Sequence, residues 1–261
     1  MSVIEGFTTM GDGCSIAWEQ TGVEGPALIL SNSLGTAMDM WKPQMDALSK
    51  RFRIIRYDTR GHGRSDVPAG AYGLDRLGRD VLELASDLEI ERFAFCGLSL
   101  GGMIGQWLGV RAPERVSQLV IANSSPFMGP PSAWDARIKL VLADGMDAIV
   151  DGTLSRWFTQ NFIAEIKNIE EIRNIFIKTD PVGYAGCCAA IRDMDMRPVL
   201  KLIQVPTLIV GGKYDPATPP EHTYALRDGI AGAQCVMLEA AHLANIEQAN
   251  NFTKVLLDYF Q

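Results

Sequence analysis

The most informative segment of this chain is residues 93–102, with the sequence FAFCGLSLGG. Its first four residues are apolar and typical of a buried strand, and apolar residues at helical spacing follow from position 103. Between the two patterns lies Ser99, with a glycine two residues before it and another two residues after it. This G-x-S-x-G pattern predicts a sharp strand-to-helix turn that holds the serine hydroxyl clear of the backbone, beside a helix N-terminus. Ser99 is therefore the candidate nucleophile.

The rest of the chain alternates between short apolar runs and helical patterns. Predicted strands are 27–30, 53–57, 93–96, 119–122, 207–210 and 235–238, and an N-terminal hairpin is predicted over 3–9 and 14–19. Helical patterns occupy 41–50, 74–88, 100–110, 219–229 and 244–260. Such alternation is typical of right-handed βαβ units. The sequence therefore predicts an α/β fold with a mostly parallel sheet flanked by helices.

Predicted strands are missing between about residues 126 and 198. Helical patterns fill this segment at 133–143, 146–158, 169–178 and 184–192. Helices inserted between two strands are expected to lie over the carboxyl ends of the strands, where open α/β sheets bind ligands. We therefore expect one domain, residues 1–261, with a helical cap inserted at about 126–198, after the sixth strand.

The composition restricts the partners of the protein. The formal net charge is −7 and no basic run is present, so nucleic acid is not expected as a partner. No apolar run approaches the roughly 20 residues of a membrane-spanning helix, and the first residues do not form a secretion signal. The five cysteines are odd in number and form no C-x-x-C pair. We therefore expect a cytoplasmic protein with reduced thiols and no membrane partner.

A nucleophilic serine needs a base, and the chain has only three histidines. His242 follows the last predicted strand, which gives the order serine, acid, histidine that is used with this turn. His62 precedes Ser99 and lies among glycines, so we interpret it as a structural residue of its loop. His222 is at the start of a predicted helix and is expected to face solvent. His242 is therefore the candidate general base.

The acid that orients this base is expected after the penultimate strand, where Asp215 lies. Its carboxylate would hold one tautomer of the imidazole and stabilise the imidazolium. Aspartate also favours turns, so a turn-capping role before Pro216 is the alternative. Two backbone amides are expected to stabilise the tetrahedral oxyanion, each contributing about 3 kcal/mol. We expect these donors to be Leu100, directly after the nucleophile, and Leu34, in the loop after a predicted strand.

Taken together, these features resemble the α/β-hydrolase fold over the whole chain. A finer resemblance, to the 3-oxoadipate enol-lactonase family, is carried by five phrases. They are LSNSLGT at 30–36, RYDTRGHG at 56–63, GLSLGGM at 97–103, YDPATPP at 214–220 and AAHLANIEQ at 240–248. The first phrase replaces the His-Gly that is common in the oxyanion loop of relatives. The first and fourth phrases are the more specific, because the others are shared across hydrolases.

The resemblance implies an enzyme of the β-ketoadipate pathway that opens a five-membered enol-lactone to 3-oxoadipate, with no metal or organic cofactor. Such a substrate is a small anion, so an acidic protein must meet its carboxylate with placed groups. Candidates for substrate binding are Trp134, Arg137 and Arg192, of which Trp134 could also wall the pocket and donate its indole N–H. The alternative is that Trp134 is core and both arginines are solvated.

Two other interpretations of the sequence stay open. The same three residues suit a broader carboxylesterase or a carbon–carbon bond hydrolase. A protein of another class, a ligand-binding module without catalysis, could also have this fold, although binding alone requires no nucleophile and base. The sequence predicts neither the oligomeric state nor the mobility of the cap.

Overall fold

A single eight-stranded sheet organises the molecule. The computed structural model describes residues 3–22, 24–165 and 169–260. In chain order the strands are β1 (Val3–Thr9), β2 (Ser15–Thr21), β3 (Ala27–Ser31), β4 (Arg53–Tyr57), β5 (Phe93–Leu98), β6 (Val116–Ala122), β7 (Thr207–Gly212) and β8 (Gln234–Leu238).

The order of strands across the sheet is β1-β2-β4-β3-β5-β6-β7-β8. The pairs β1–β2 and β2–β4 are antiparallel, and all later neighbours are parallel. Strand β5 is buried over its whole length, as expected for a central strand of a sheet covered on both faces. The predicted α/β fold with a mostly parallel sheet is confirmed.

Eleven α-helices lie in the described residues. They are α1 (Lys42–Leu48), α2 (Leu74–Asp87), α3 (Leu100–Arg111), α4 (Pro131–Asp144), α5 (Val150–Trp157), α6 (Gln160–Glu165), α7 (Ile169–Ile177), α8 (Pro181–Asp193), α9 (Pro220–Gly229), α10 (Ala244–Glu247) and α11 (Ala249–Tyr259). Helix α3 packs on β5 and β6, and α9 packs on β7. None of the helices in the described ranges is both long and apolar enough to cross a membrane.

Helices α4–α8, which we call the inserted helices, lie between β6 and β7 in the chain. Helix α4 packs on α8, and α5 packs on α7. The amide of Tyr72 donates to the carbonyl of Gly186 at 3.0 Å, which joins α8 to the loop before α2. Close by, a Cβ on Gly183 would lie 2.3 Å from Cα of Gly61. The backbones touch there, so this contact requires glycine on both sides.

The clearest differences from the predicted elements concern α6 and the C-terminal helix. Helix α6 was not predicted, because its six residues are too few for a clear periodic pattern. The helix predicted over 244–260 is interrupted at Gln248, whose φ of −119° and ψ of 46° are not helical. Just before the break, the Glu247 carboxylate accepts from the amide of Ala241 at 2.8 Å and also binds Thr159. The contact with Thr159 joins residues 88 positions apart, and neither contact follows helical spacing, so helical periodicity could not reveal them.

Candidate active site

The turn between β5 and α3 has the geometry that its glycines predict. Ser99 has a φ of 57°, in the left-handed region that a non-glycine residue rarely adopts. A Cβ on Gly97 would lie 2.0 Å from the carbonyl oxygen of Gly101, and one on Gly101 would lie 2.2 Å from that of Ser31. Side chains at these two positions would therefore force the strand and the helix apart. The turn leaves the Ser99 side chain at a cavity wall.

Ser99, His242 and Asp215 form a continuous chain of hydrogen bonds. Nε2 of His242 lies 2.9 Å from Oγ of Ser99, and Nδ1 lies 2.8 Å from Oδ2 of Asp215. His242 follows β8 and Asp215 follows β7, so both loops leave the same edge of the parallel sheet as the turn at Ser99. The arrangement can move a proton from the hydroxyl to the imidazole while the carboxylate stabilises the resulting cation.

The carboxylate of Asp215 is held by several donors besides the histidine. Oδ2 accepts from Oγ1 of Thr218 at 2.7 Å and from Nδ2 of Asn123 at 3.1 Å. Oδ1 accepts from the amides of Ala217 and Thr218 at 2.8 and 2.9 Å. Burial by itself would raise the pKa of Asp215, but the neighbouring imidazole of His242 and the hydrogen bonds from His242 and Thr218 outweigh it and lower the pKa. Asp215 is therefore held as a carboxylate.

Asn123 and Thr218 were not predicted from the sequence as parts of the site. Asn123 directly follows β6, at the same sheet edge as the serine turn, and has a φ of 42°. A polar residue at the end of a buried strand was the available signal. Thr218 lies in the phrase that carried Asp215, but only the folded turn directs its hydroxyl back to the carboxylate.

The loop after β3 is fixed against the start of α3. The amide of Gly101 donates to the carbonyl of Asn32 at 3.0 Å, and the Asn32 side chain donates to the Tyr57 carbonyl at 2.8 Å. In the described part of the chain, the amides of Leu34 and Leu100 donate to no other group. Leu34 lines the cavity beside Ser99, and Leu100 is the first residue of α3. Both predicted oxyanion donors are thus free to bind an oxygen.

His62 holds the same loop from behind. Its Nε2 lies 3.0 Å from the amide of Gly35, and its Nδ1 lies 3.3 Å from the carbonyl of Arg60. Because an amide can only donate, Nε2 must be the acceptor, and the ring is the neutral tautomer protonated at Nδ1. Burial lowers the pKa of His62 to about 4. These contacts with Gly35 and Arg60 agree with the structural role in the loop that its glycine neighbours predict.

The cavity beside Ser99 has a volume of about 280 Å³, just below the range of about 300 to 1,000 Å³ that is usual for small-molecule sites. One wall consists of Ser33, Leu34 and the loop at Thr218. The inserted helices supply the other wall, which includes Trp134 and Tyr184. A ligand in this space would contact Ser99, His242 and the inserted helices.

The three predicted substrate-binding residues have different positions. Trp134 lines the cavity, as its predicted wall role requires, but its indole N–H donates to the Met128 carbonyl at 2.7 Å, so the expectation that this N–H would donate to the substrate is wrong. Arg137 lines the cavity, with Nε 2.8 Å from Oη of Tyr184. Arg192 lies outside the cavity lining, and ion pairs with Asp193 and Asp135 occupy its guanidinium. The structure brings only the first two to the site.

The third histidine of the chain, His222, lies outside the cavity lining. His222 is half-buried at the start of α9 and its Nδ1 is buried without a partner, so the expectation of a solvent-facing side chain is wrong. Helix α9 packs on β7 and β8. Across residues 3–22, 24–165 and 169–260, no cluster of three or more histidine, cysteine or carboxylate side chains is placed to hold a metal ion.

This fold and this site define a class of protein. A family model described as the alpha/beta hydrolase fold matches residues 26–152, and one described as a TAP-like protein matches residues 180–261. The chain belongs to the α/β-hydrolase family and is a hydrolase.

Within that family the chain is similar to the 3-oxoadipate enol-lactonases, and the predicted resemblance is confirmed. It is 41% identical to 3-oxoadipate enol-lactonase 2 of Acinetobacter baylyi, over 87% of this chain and 85% of the relative. It is 38% identical to 3-oxoadipate enol-lactonase 1 of the same organism, over 88% and 86%. The crystal structure of the enol-lactonase from Burkholderia xenovorans LB400 superposes with a TM-score of 0.96 at 40% identity, covering 98% of this chain and 99% of that one.

Proposed function

We propose that the protein hydrolyses the ring ester of 3-oxoadipate enol-lactone to 3-oxoadipate, in the β-ketoadipate pathway of aromatic degradation. The observation that carries this proposal is the unbroken relay from Ser99 through His242 to Asp215 at the wall of a small cavity. The similarity to enzymes named as enol-lactonases supports the choice of ester. The five cysteines are free thiols, which supports a cytoplasmic location because disulfides persist in oxidising compartments.

The first half of the reaction forms an acyl-enzyme. Oγ of Ser99 attacks the lactone carbonyl while Nε2 of His242, 2.9 Å away, accepts the hydroxyl proton. Asp215 accepts from Nδ1 and stabilises the imidazolium. We expect the amides of Leu34 and Leu100 to bind the oxyanion, and their lack of any other acceptor in the described structure supports this role.

Collapse of the tetrahedral intermediate breaks the ring C–O bond. The leaving oxygen is an enolate that takes the proton from His242 and tautomerises to a ketone. Because the ester is cyclic, this leaving group stays attached to the acyl chain and no separate alcohol departs. A water molecule deprotonated by His242 then attacks the acyl-enzyme, and release of Ser99 gives the dicarboxylate. We propose that the inserted helices act as a cap that limits the access of bulk water during these steps.

The decisive assay follows loss of the ultraviolet absorbance of the enol-lactone with purified protein. Turnover that is lost in Ser99→Ala, with an unchanged melting temperature, supports the proposal. A panel of simple esters and carbon–carbon ring-cleavage products tests the broader carboxylesterase and the carbon–carbon hydrolase. Faster turnover of a panel member than of the enol-lactone would overturn the choice of substrate. Ligand binding without any turnover would instead identify a non-catalytic binding module.

A further inference from the structure

The cavity beside Ser99 has a charge opposite to that of the whole protein. The formal net charge of the chain is −7, yet the described cavity lining contains Arg137 and Arg156 and no aspartate or glutamate. Arg156 lies in the last turn of α5, whose final residue Trp157 also lines the cavity. Fixed positive charge in a partly enclosed space attracts anions strongly, because solvent screens it poorly.

The two arginines differ in how they are held. Arg137 donates from Nε to Oη of Tyr184 at 2.8 Å and from Nη2 to Oγ1 of Thr153 at 2.9 Å. Its guanidinium also lies over the Tyr184 ring, 5.7 Å from the ring centroid. These contacts fix Arg137 as part of the cavity wall and use much of its hydrogen-bonding capacity.

The side chain of Arg156, by contrast, makes no hydrogen bond, ion pair or ring contact with any residue in the described ranges. The other arginines of the inserted helices all have partners. Arg173 pairs with Asp151, and Arg192 pairs with Asp135 and Asp193. A half-buried guanidinium with five free donors, facing a cavity, is unusual because long cationic side chains normally reach water or a carboxylate.

The neighbourhood of Arg156 favours an anion for a second reason. Burial lowers the pKa of Arg156, and the nearby charge of Arg137 lowers it further. Two guanidinium groups that repel each other across a partly dry space are both stabilised when a carboxylate enters it. The planar fork of arginine matches the two oxygens of a carboxylate, so the contact can be bidentate.

We propose that Arg156 is the residue that binds the free carboxylate of the substrate, and that it makes the enzyme selective for anionic lactones over neutral esters. Arg137 acts as a positioning residue that fixes the wall next to it. This inference rests on the proposed function for the identity of the substrate. It assigns the carboxylate to a residue that the sequence did not single out, in place of Arg192, which lies outside the cavity lining.

The test compares two substrates, the enol-lactone acid and its carboxylate methyl ester, in four variants. Arg156→Met removes the charge at similar volume, and Arg156→Lys keeps the charge without the fork. Arg137→Met tests the neighbouring cation, and Arg173→Met is the matched control, because it loses an equal charge from the inserted helices outside the cavity lining. The melting temperature of each variant reports whether it is folded. Its rate of hydrolysis of p-nitrophenyl acetate, a neutral ester, reports whether Ser99, His242 and Asp215 are still active.

The expected result is a loss confined to the anionic substrate. Arg156→Met should lower kcat/KM for the acid by about tenfold to a hundredfold, mainly through KM, and change the two neutral esters by less than about twofold. Arg156→Lys should recover part of the loss, and Arg173→Met should match the wild type. Equal losses on acid and ester would overturn the assignment. A selective loss in Arg137→Met but not in Arg156→Met would overturn it too, and would give the carboxylate to Arg137.

A second measurement separates this inference from the proposed function. Adipate, a six-carbon dicarboxylate, is added as a competitive inhibitor of p-nitrophenyl acetate hydrolysis. Its inhibition constant should rise about tenfold or more in Arg156→Met. If that rise occurs while the enol-lactone itself is not turned over, the carboxylate site stands and the proposed substrate fails. If the enol-lactone is turned over but adipate inhibits both proteins equally, or neither, the proposed substrate stands and the role of Arg156 fails.

Discussion

Replacing His62 with glutamine should make the stability of the protein less dependent on pH. His62 is almost fully buried, at 2% exposure, and burial lowers the pKa of its imidazole from 6.5 to about 4. Its two ring nitrogens contact only the amide of Gly35 and the carbonyl of Arg60, and no carboxylate pairs with the ring. The guanidinium of Arg60 is directed instead at Asp12 and Asp80. Protonation of the His62 imidazole is therefore less favourable in the folded protein than in the unfolded chain.

Proton linkage gives the sign and the size of the His62 contribution to the free energy of unfolding. Because the folded pKa is depressed, the contribution of His62 to stability is fully present above pH 6.5 and is lost as the pH falls toward about 4. Between pH 7 and pH 5 the two pKa values imply a loss of about 2 kcal/mol, and the loss approaches about 3 kcal/mol below pH 4. Glutamine offers an uncharged acceptor to Gly35 and does not titrate, so this loss should be absent from His62→Gln.

The assay is urea unfolding at pH 7, 6 and 5, followed by tryptophan fluorescence, on the wild type and His62→Gln. The wild type should lose about 2 kcal/mol more than the variant between pH 7 and pH 5. His222→Gln is the matched control. His222 is only half-buried, so removing it should alter the slope less. Parallel curves for the wild type and His62→Gln would refute the view that His62 is held neutral by burial.

Three further outcomes are expected. Ser99→Ala and His242→Ala should each lower kcat by about five orders of magnitude or more, with the double variant little worse, and additive losses would show that the two residues do not share a step. Asn123→Ala should lower kcat about tenfold with little change in KM, because the Asp215 carboxylate loses a donor at 3.1 Å. Steady-state kinetics unchanged from the wild type would contradict this role of Asn123. Gly97→Ala should reduce the free energy of unfolding by about 3 kcal/mol or more, since its Cβ would lie 2.0 Å from the Gly101 carbonyl oxygen, and a wild-type urea midpoint would disprove the steric argument.

The Asp215 loop shows where local sequence stops being informative. The order of Ser99, Asp215 and His242, each following a predicted strand, was enough to predict that the three meet at one sheet edge. Parallel strands place their carboxyl ends together, so chain order and strand position are sufficient for such a prediction. The support of Asp215 by Asn123 was not predictable in the same way, because that hydrogen bond joins residues 92 positions apart.

The sequence by itself determined the α/β fold, the strained turn at Ser99 and the candidate relay, because these depend on periodicity, on glycine at fixed offsets and on the order of elements. The tertiary structure alone decided which of the candidate side chains already have partners. In the folded chain the indole of Trp134 donates to the Met128 carbonyl, and Arg192 forms ion pairs with exposed carboxylates. The side chain of Arg156 has no partner in the described residues. Composition and spacing show which donors and charged groups a chain contains. Whether a donor is already satisfied depends on packing between segments far apart in sequence, and only the folded chain determines that.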